Sequence, residues 1–178
     1  MIPEVPQLPD AKRSLGREFL TWLIHRAEEH AGRFEHDGDV VEIALGDHIV
    51  LAEDDANGAR LTVTGEGDLR PELGAGLRRG KLVDRAHLRI RRGERRWELV
   101  LDGGLLGYGS LRCPPLGDRA PGDARAQREN DLFLRVADVE EAIAILDGCF
   151  AEFCRARASA SWGGDTLPEL RNWAHGLV

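Results

Sequence analysis

Long apolar runs are the first thing this sequence is short of. No uncharged apolar stretch approaches the ~18 residues that a membrane-spanning helix needs, so no membrane span is expected. The opening segment MIPEVPQLPDAKR holds three prolines and no apolar core segment. It does not read as a secretory signal, and a cytoplasmic location is the expectation. Cysteine is scarce: only Cys113, Cys149 and Cys154 occur. Their number is odd and their spacing fits neither a disulfide scaffold nor a zinc site. Cys149 and Cys154 fall in an apolar helical pattern, which predicts buried thiols in a reducing compartment.

Motifs of catalysis are also missing. His25, Glu29 and His30 share one helical pattern, but the histidines are five residues apart. A helix separates such positions by about 140°, so they do not form a metal-binding pair. GAGLRRGK (74–81) is glycine-rich, yet Lys81 precedes Leu82 rather than Ser or Thr. Counted from Gly76, its spacing is one residue short of a phosphate-binding loop. GGLLGYG (103–109) is not a dinucleotide fingerprint, and no G-x-S-x-G elbow occurs. The expectation is a non-enzymatic protein without metal or cofactor.

What is present is a chain of 178 residues, 42% hydrophobic and 31% charged, long enough to bury a true core. After an irregular leader (1–13), Leu15, Phe19, Leu20, Leu23, Ile24 and Ala27 recur at helical spacing. Ser14 reads as the cap and Gly32 as the stop, with Arg17 and Arg26 on the polar side. The period then becomes two. Val41, Ile43 and Leu45, a Gly46-Asp47 turn, then Ile49 and Leu51 predict a hairpin. A strand through Leu61 and Val63 follows, then a short helix with Pro71 in its first turn and Gly80 after it. A second hairpin covers 82–101, and a sixth strand is expected near 105–113.

Residues 114–129 are rich in Pro, Gly, Asp and Arg and read as a flexible linker. Beyond them Leu132, Val136, Val139, Ile143, Leu146, Phe150 and Phe153 step by four and three. That seam predicts one long helix from about 129 to 158; a strand at 132–136 before a helix capped at Asp138 is the rival reading. A last helix carries Pro168 in its first turn and Gly176 as its stop. The whole is a single α+β domain over 14–178, with C-terminal helices over 129–178. Its expected architecture is an antiparallel sheet of five or six strands, packed by an N-terminal helix and a C-terminal helical segment. The seam exceeds what one sheet face needs, so Leu146 to Phe153 are expected to contribute to a homodimer.

Charge is distributed unevenly. Residues 78–96 hold nine basic residues: Arg78, Arg79, Lys81, Arg85, Arg89, Arg91, Arg92, Arg95 and Arg96. They hold two acids, Asp84 and Glu94, a local net of +7 in a chain of −7, so the remainder carries −14. Strand alternation sets Leu82, Ala86, Leu88 and Ile90 on one face, with Asp84 as the misfit. Val83, Arg85, His87, Arg89 and Arg91 fall on the other. Arginines at i and i+2 stand about 7 Å apart, and such a row can meet alternate phosphates of a duplex. A well-solvated hairpin would show the same pattern. No surface aromatics interleave, so base stacking is not expected.

LGREFLTWLIHRAEE (15–29), GAGLRRGKLVDRAHLRI (74–90), WELVLD (97–102) and the late LPELRNW resemble the recombination-associated RdgC family, over about residues 15–175. The likeness is to the C-terminal part of longer members. It implies a non-enzymatic protein that binds duplex DNA with little sequence preference, forms a ring-shaped dimer and restrains RecA-driven recombination. Carried over, the DNA role falls on the nine basic residues. This chain is short and acidic outside them, which departs from that pattern. The rival expectation is a protein-interaction module that does not bind DNA.

Overall fold

The computed structural model describes residues 11–29, 31–53, 59–65, 68–117 and 124–177. Helix α1 (Ala11–Glu29) precedes strands β1 (Arg33–His36), β2 (Asp39–Ala52) and β3 (Arg60–Thr64). Helix α2 (Arg70–Arg78) leads to β4 (Leu82–Arg92), β5 (Arg95–Asp102) and β6 (Gly107–Arg112). Helix α3 (Ala124–Ala158), a π-helical turn (Trp162–Thr166) and helix α4 (Leu167–Gly176) follow. The architecture is α+β, as the alternating and helical periods predict. None of the helices among the described residues is long and apolar enough to cross a membrane.

One antiparallel sheet contains all six strands, in the order β1-β2-β4-β5-β6. β3 shares an edge of β2 with β1, each pairing a different end of that strand. The count of six is met differently from expectation. There is no hairpin turn at Gly46-Asp47: β2 runs through it, with a bulge against β4 between Leu45 and Ile49. A Cβ on Gly46 would lie 2.4 Å from His87 Nδ1, so this glycine admits the His87 ring rather than turning the chain. The first hairpin turns at Asp37-Gly38, both with positive φ (50° and 81°), the pattern of a type I′ turn. Asp-Gly is the strongest short hairpin signal, and it brings in β1 as an additional strand.

The inner face of the sheet carries Val41, Ile43, Ile49, Leu51, Ala86, Leu88, Ile90, Trp97, Leu99 and Leu101, all buried. Val83 is buried too and does not join the arginines, because a second irregularity between Val50 and Leu51 shifts the alternation. α1 starts at Ala11, before Ser14, and is enclosed on nearly every side. The sheet takes Leu20, Leu23 and Ile24. Phe19 and Trp22 meet Phe150 and Phe153 of α3 at ring separations of 5.1–5.7 Å.

That enclosure explains two polar positions. Arg17 is only 3% exposed. Its Nε donates to Asp84 Oδ1 at 2.6 Å and its Nη1 to the Glu53 carbonyl at 2.9 Å. The misfit on β4 and the supposed surface arginine on α1 are each other's partner.

α3 is one long helix, as the seam predicts, and it begins within the expected linker, at Ala124. At 1.5 Å per residue its 35 residues extend about 52 Å. The second half is core: Ala142, Ile145, Leu146, Cys149 and Phe153 are buried. Leu146 and Phe153 are consumed within the chain and unavailable to a second copy, which corrects the expected homodimer site.

Candidate interaction surfaces

The basic residues divide into three groups. Arg85, Arg89 and Arg91 are exposed on the outer face of β4, and Arg96 joins them from β5 opposite Arg91. Arg92 and Arg95 flank the Gly93-Glu94 turn and reach back to α3. Arg78, Arg79 and Lys81 lie at the end of α2, away from the outer face. Arg78 Nη1 donates to the carbonyls of Ala174 and Leu177 at 3.0 Å each, closing the end of α4. Lys81 is buried, with Nζ 2.9 Å from Glu53 Oε1.

The outer-face arginines stand in rows across the strands, spaced by about 4.8 Å per strand, and acids alternate with them. Glu42, Arg91 and Arg96 are cross-strand neighbours; so are Arg89, Glu98 and Arg112, and Arg85 and Asp102. Arg85 Nη2 lies 2.6 Å from Asp102, Arg91 Nε 3.0 Å from Glu42, and Arg112 Nη1 3.4 Å from Glu98. Glu42 in turn raises the Arg91 guanidinium, as Asp39 raises that of Arg92. Partial burial raises the Asp102 carboxyl. The bonds from Arg85 and the Leu105 amide outweigh this and hold it below its usual value.

At the turn, Arg95 bonds Asp138 at 2.7 Å and also Glu141; Arg92 bonds Asp39 and Glu141. Trp97 Nε1 donates to the Asp138 carbonyl at 2.9 Å. The tip of the hairpin is therefore a clamp on the middle of α3. Among the nine basic residues, Arg79, Arg89 and Arg96 alone have side chains with neither ion pair nor hydrogen bond to the described residues. The local +7 was a count along the chain; the neutralising carboxylates arrive from neighbouring strands and from α3.

A second surface was not anticipated as such. Leu132, Phe133, Leu134 and Val136 are 63%, 73%, 46% and 47% exposed. Leu132 and Val136 continue the stripe whose second half is core, while Phe133 and Leu134 stand about 100° and 200° round the helix from Leu132, so the apolar ridge wraps well round the first half of α3. The sequence showed the stripe but not where its cover ends.

Also on the outer face, His87 Nδ1 lies 2.6 Å from Asp47 Oδ1, and that bond lowers the Asp47 carboxyl. Among the described residues no group of three or more His, Cys, Asp or Glu side chains converges as a metal site. No protein-family model matches the chain, and no curated protein matches it.

Proposed function

We propose that this chain is a non-enzymatic binding module whose principal docking surface is the apolar ridge of α3. The carrying observation is the exposure of Leu132, Phe133, Leu134 and Val136 on a helix otherwise committed to the core. Four large apolar side chains exposed within five residues are characteristic of a protein-interaction site. Leu132 and Val136 belong to the stripe that steps by four and three, the period that packs against another helix, and a second copy satisfies that requirement symmetrically. Sedimentation at about 50 µM, a range that reports micromolar association, tests this. The wild type is expected to dimerise, and Leu132→Ser/Phe133→Ser to be monomeric with an unchanged unfolding midpoint. A monomeric wild type that also captures no partner in a ridge-dependent way would overturn the reading.

A second reading rests on the outer sheet face. Arg89 and Arg96 make no ion pair there among the described residues. The ion pairs of Arg85 and Arg91 are half-exposed, a class that adds little to stability, so phosphates can compete for these guanidinium groups. Together with the resemblance to the RdgC family, this supports sequence-independent contact with the DNA backbone.

A further inference from the structure

Away from both surfaces, a cavity of about 220 Å³ opens between α1, the start of β4, the π-helical turn and α4. Leu77, Leu82, Trp162, Leu170, Trp173 and Ala174 form its apolar walls. Three charged side chains line it as well: Glu18, Lys81 and Arg171. We infer that this cavity binds a small aromatic carboxylic acid, with the ring between the two tryptophans and the carboxylate on Arg171.

Size sets the first limit. An apolar cavity of about 150 Å³ accepts benzene, so this one holds a single ring with a short substituent. Its aromatic walls are fixed before any ligand arrives. Trp162 is held edge-on by Phe153 at 5.7 Å and covered by the Arg157 guanidinium at 5.4 Å. Trp173 is tied through its indole N–H to Glu28 at 3.0 Å. A wall that does not reorganise costs the ligand little on binding, and ring pairs add an attraction beyond area.

Charge sets the second limit. Lys81 is neutralised by Glu53 at 2.9 Å, and Glu18 by Arg157 at 2.8 Å. Arg171 is the charge left over: it is exposed and has no ion pair among the described residues. The Trp162 N–H also makes no hydrogen bond to the described residues, and it is not among their buried unpartnered atoms, so it is open to an incoming acceptor. Two accessible donors beside an apolar cavity suit an anionic ligand with an apolar body. The wall itself includes a π-helical turn, a conformation frequently found at functional sites. Its Gly163 and Gly164 have open space where side chains would stand.

The indole N–H resonances of the four tryptophans provide the test. Titration with phenylacetate is expected to move the Trp162 and Trp173 signals and leave that of Trp97 in place. Arg171→Gln should weaken phenylacetate binding about tenfold, the scale of one charge-assisted hydrogen bond. Neutral phenylacetamide should bind the wild type more weakly by a similar factor. Leu170→Trp should fill the cavity and abolish the shifts while leaving the Trp97 signal native. The proposal is overturned if the Trp162 and Trp173 signals stay still up to about 20 mM phenylacetate, beyond the millimolar range of weak binding. It is equally overturned if acid and amide bind alike, or if Arg171→Gln binds the acid as the wild type does.

Discussion

Arg17 and Asp84 carry opposite charges into a space where little water can reach them. Their side chains are 3% and 9% exposed. Removing one partner leaves the other charge buried; for Asp84 the exposed Arg60, 3.6 Å away, is then the only cation paired with it among the described residues. Arg17→Leu should therefore cost about 3–5 kcal/mol in chemical denaturation, while the double change Arg17→Leu/Asp84→Leu should recover much of that loss. Additive losses would mean the pair is not coupled. Asp47 is the opposite case, a half-exposed carboxyl held below its ordinary 3.8 by the His87 hydrogen bond. Its folded value is depressed, so its contribution to stability is present above the unfolded value and is lost as pH falls through the folded one. Carboxyl-carbon NMR should show the Asp47 midpoint rising towards 3.8 in His87→Ala. Cys149 is a third test of burial. Desolvation pushes its thiol up to about 12, so at pH 8 it should resist alkylation until the protein unfolds.

At the scale of elements, the stripe of α1 was legible because it obeys helical spacing, and it makes a firm energetic claim. Leu23 is fully buried between sheet and helices. Leu23→Ala should lower stability by about 2–5 kcal/mol, read as a shift in the denaturation midpoint. An unchanged midpoint would place that stripe outside the core. The long helix was legible for the same reason, from seven apolar positions at three- and four-residue steps. The hairpin assignment at Gly46-Asp47 failed because a glycine that admits a neighbouring ring has the same local signature as one that turns the chain. Asp37-Gly38 was a true turn signal, but the strand before it has only four residues and no alternation long enough to stand out. Of the binding surfaces, sequence placed Arg85, Arg89 and Arg91 on one outward face. It could not place Glu42, Glu98 and Asp102 beside them, because that pairing depends on strand order and register. Nor could it show that the α3 stripe loses its cover before Ala142, since both halves have the same period.

For the whole molecule, net charge and local charge pull in opposite directions. A chain of −7 repels a polyanion at long range, and that lowers the encounter rate. The outer face offers an approaching phosphate row two arginines without an ion pair among the described residues, Arg89 and Arg96, and Arg91 if it exchanges Glu42 for phosphate. Three such contacts give a slope of log K against log salt near −3 for duplex DNA. Binding should thus be weak, indifferent to sequence and measurable only at low salt, about 50 mM. Arg89→Gln/Arg96→Gln should flatten the slope to about −1 while the fold survives, since exposed substitutions usually cost within about 0.5 kcal/mol each. The control must avoid Arg17, which is buried; Arg125→Gln/Arg155→Gln changes the net charge equally, away from the sheet face, and should leave the slope intact. Equal effects of the two pairs would show that only overall charge is sensed. No retardation of duplex at about 50 mM would identify the cross-strand acids as decisive, their charge offsetting even the arginines they do not bond directly, and would leave the α3 ridge as the surface through which the chain acts.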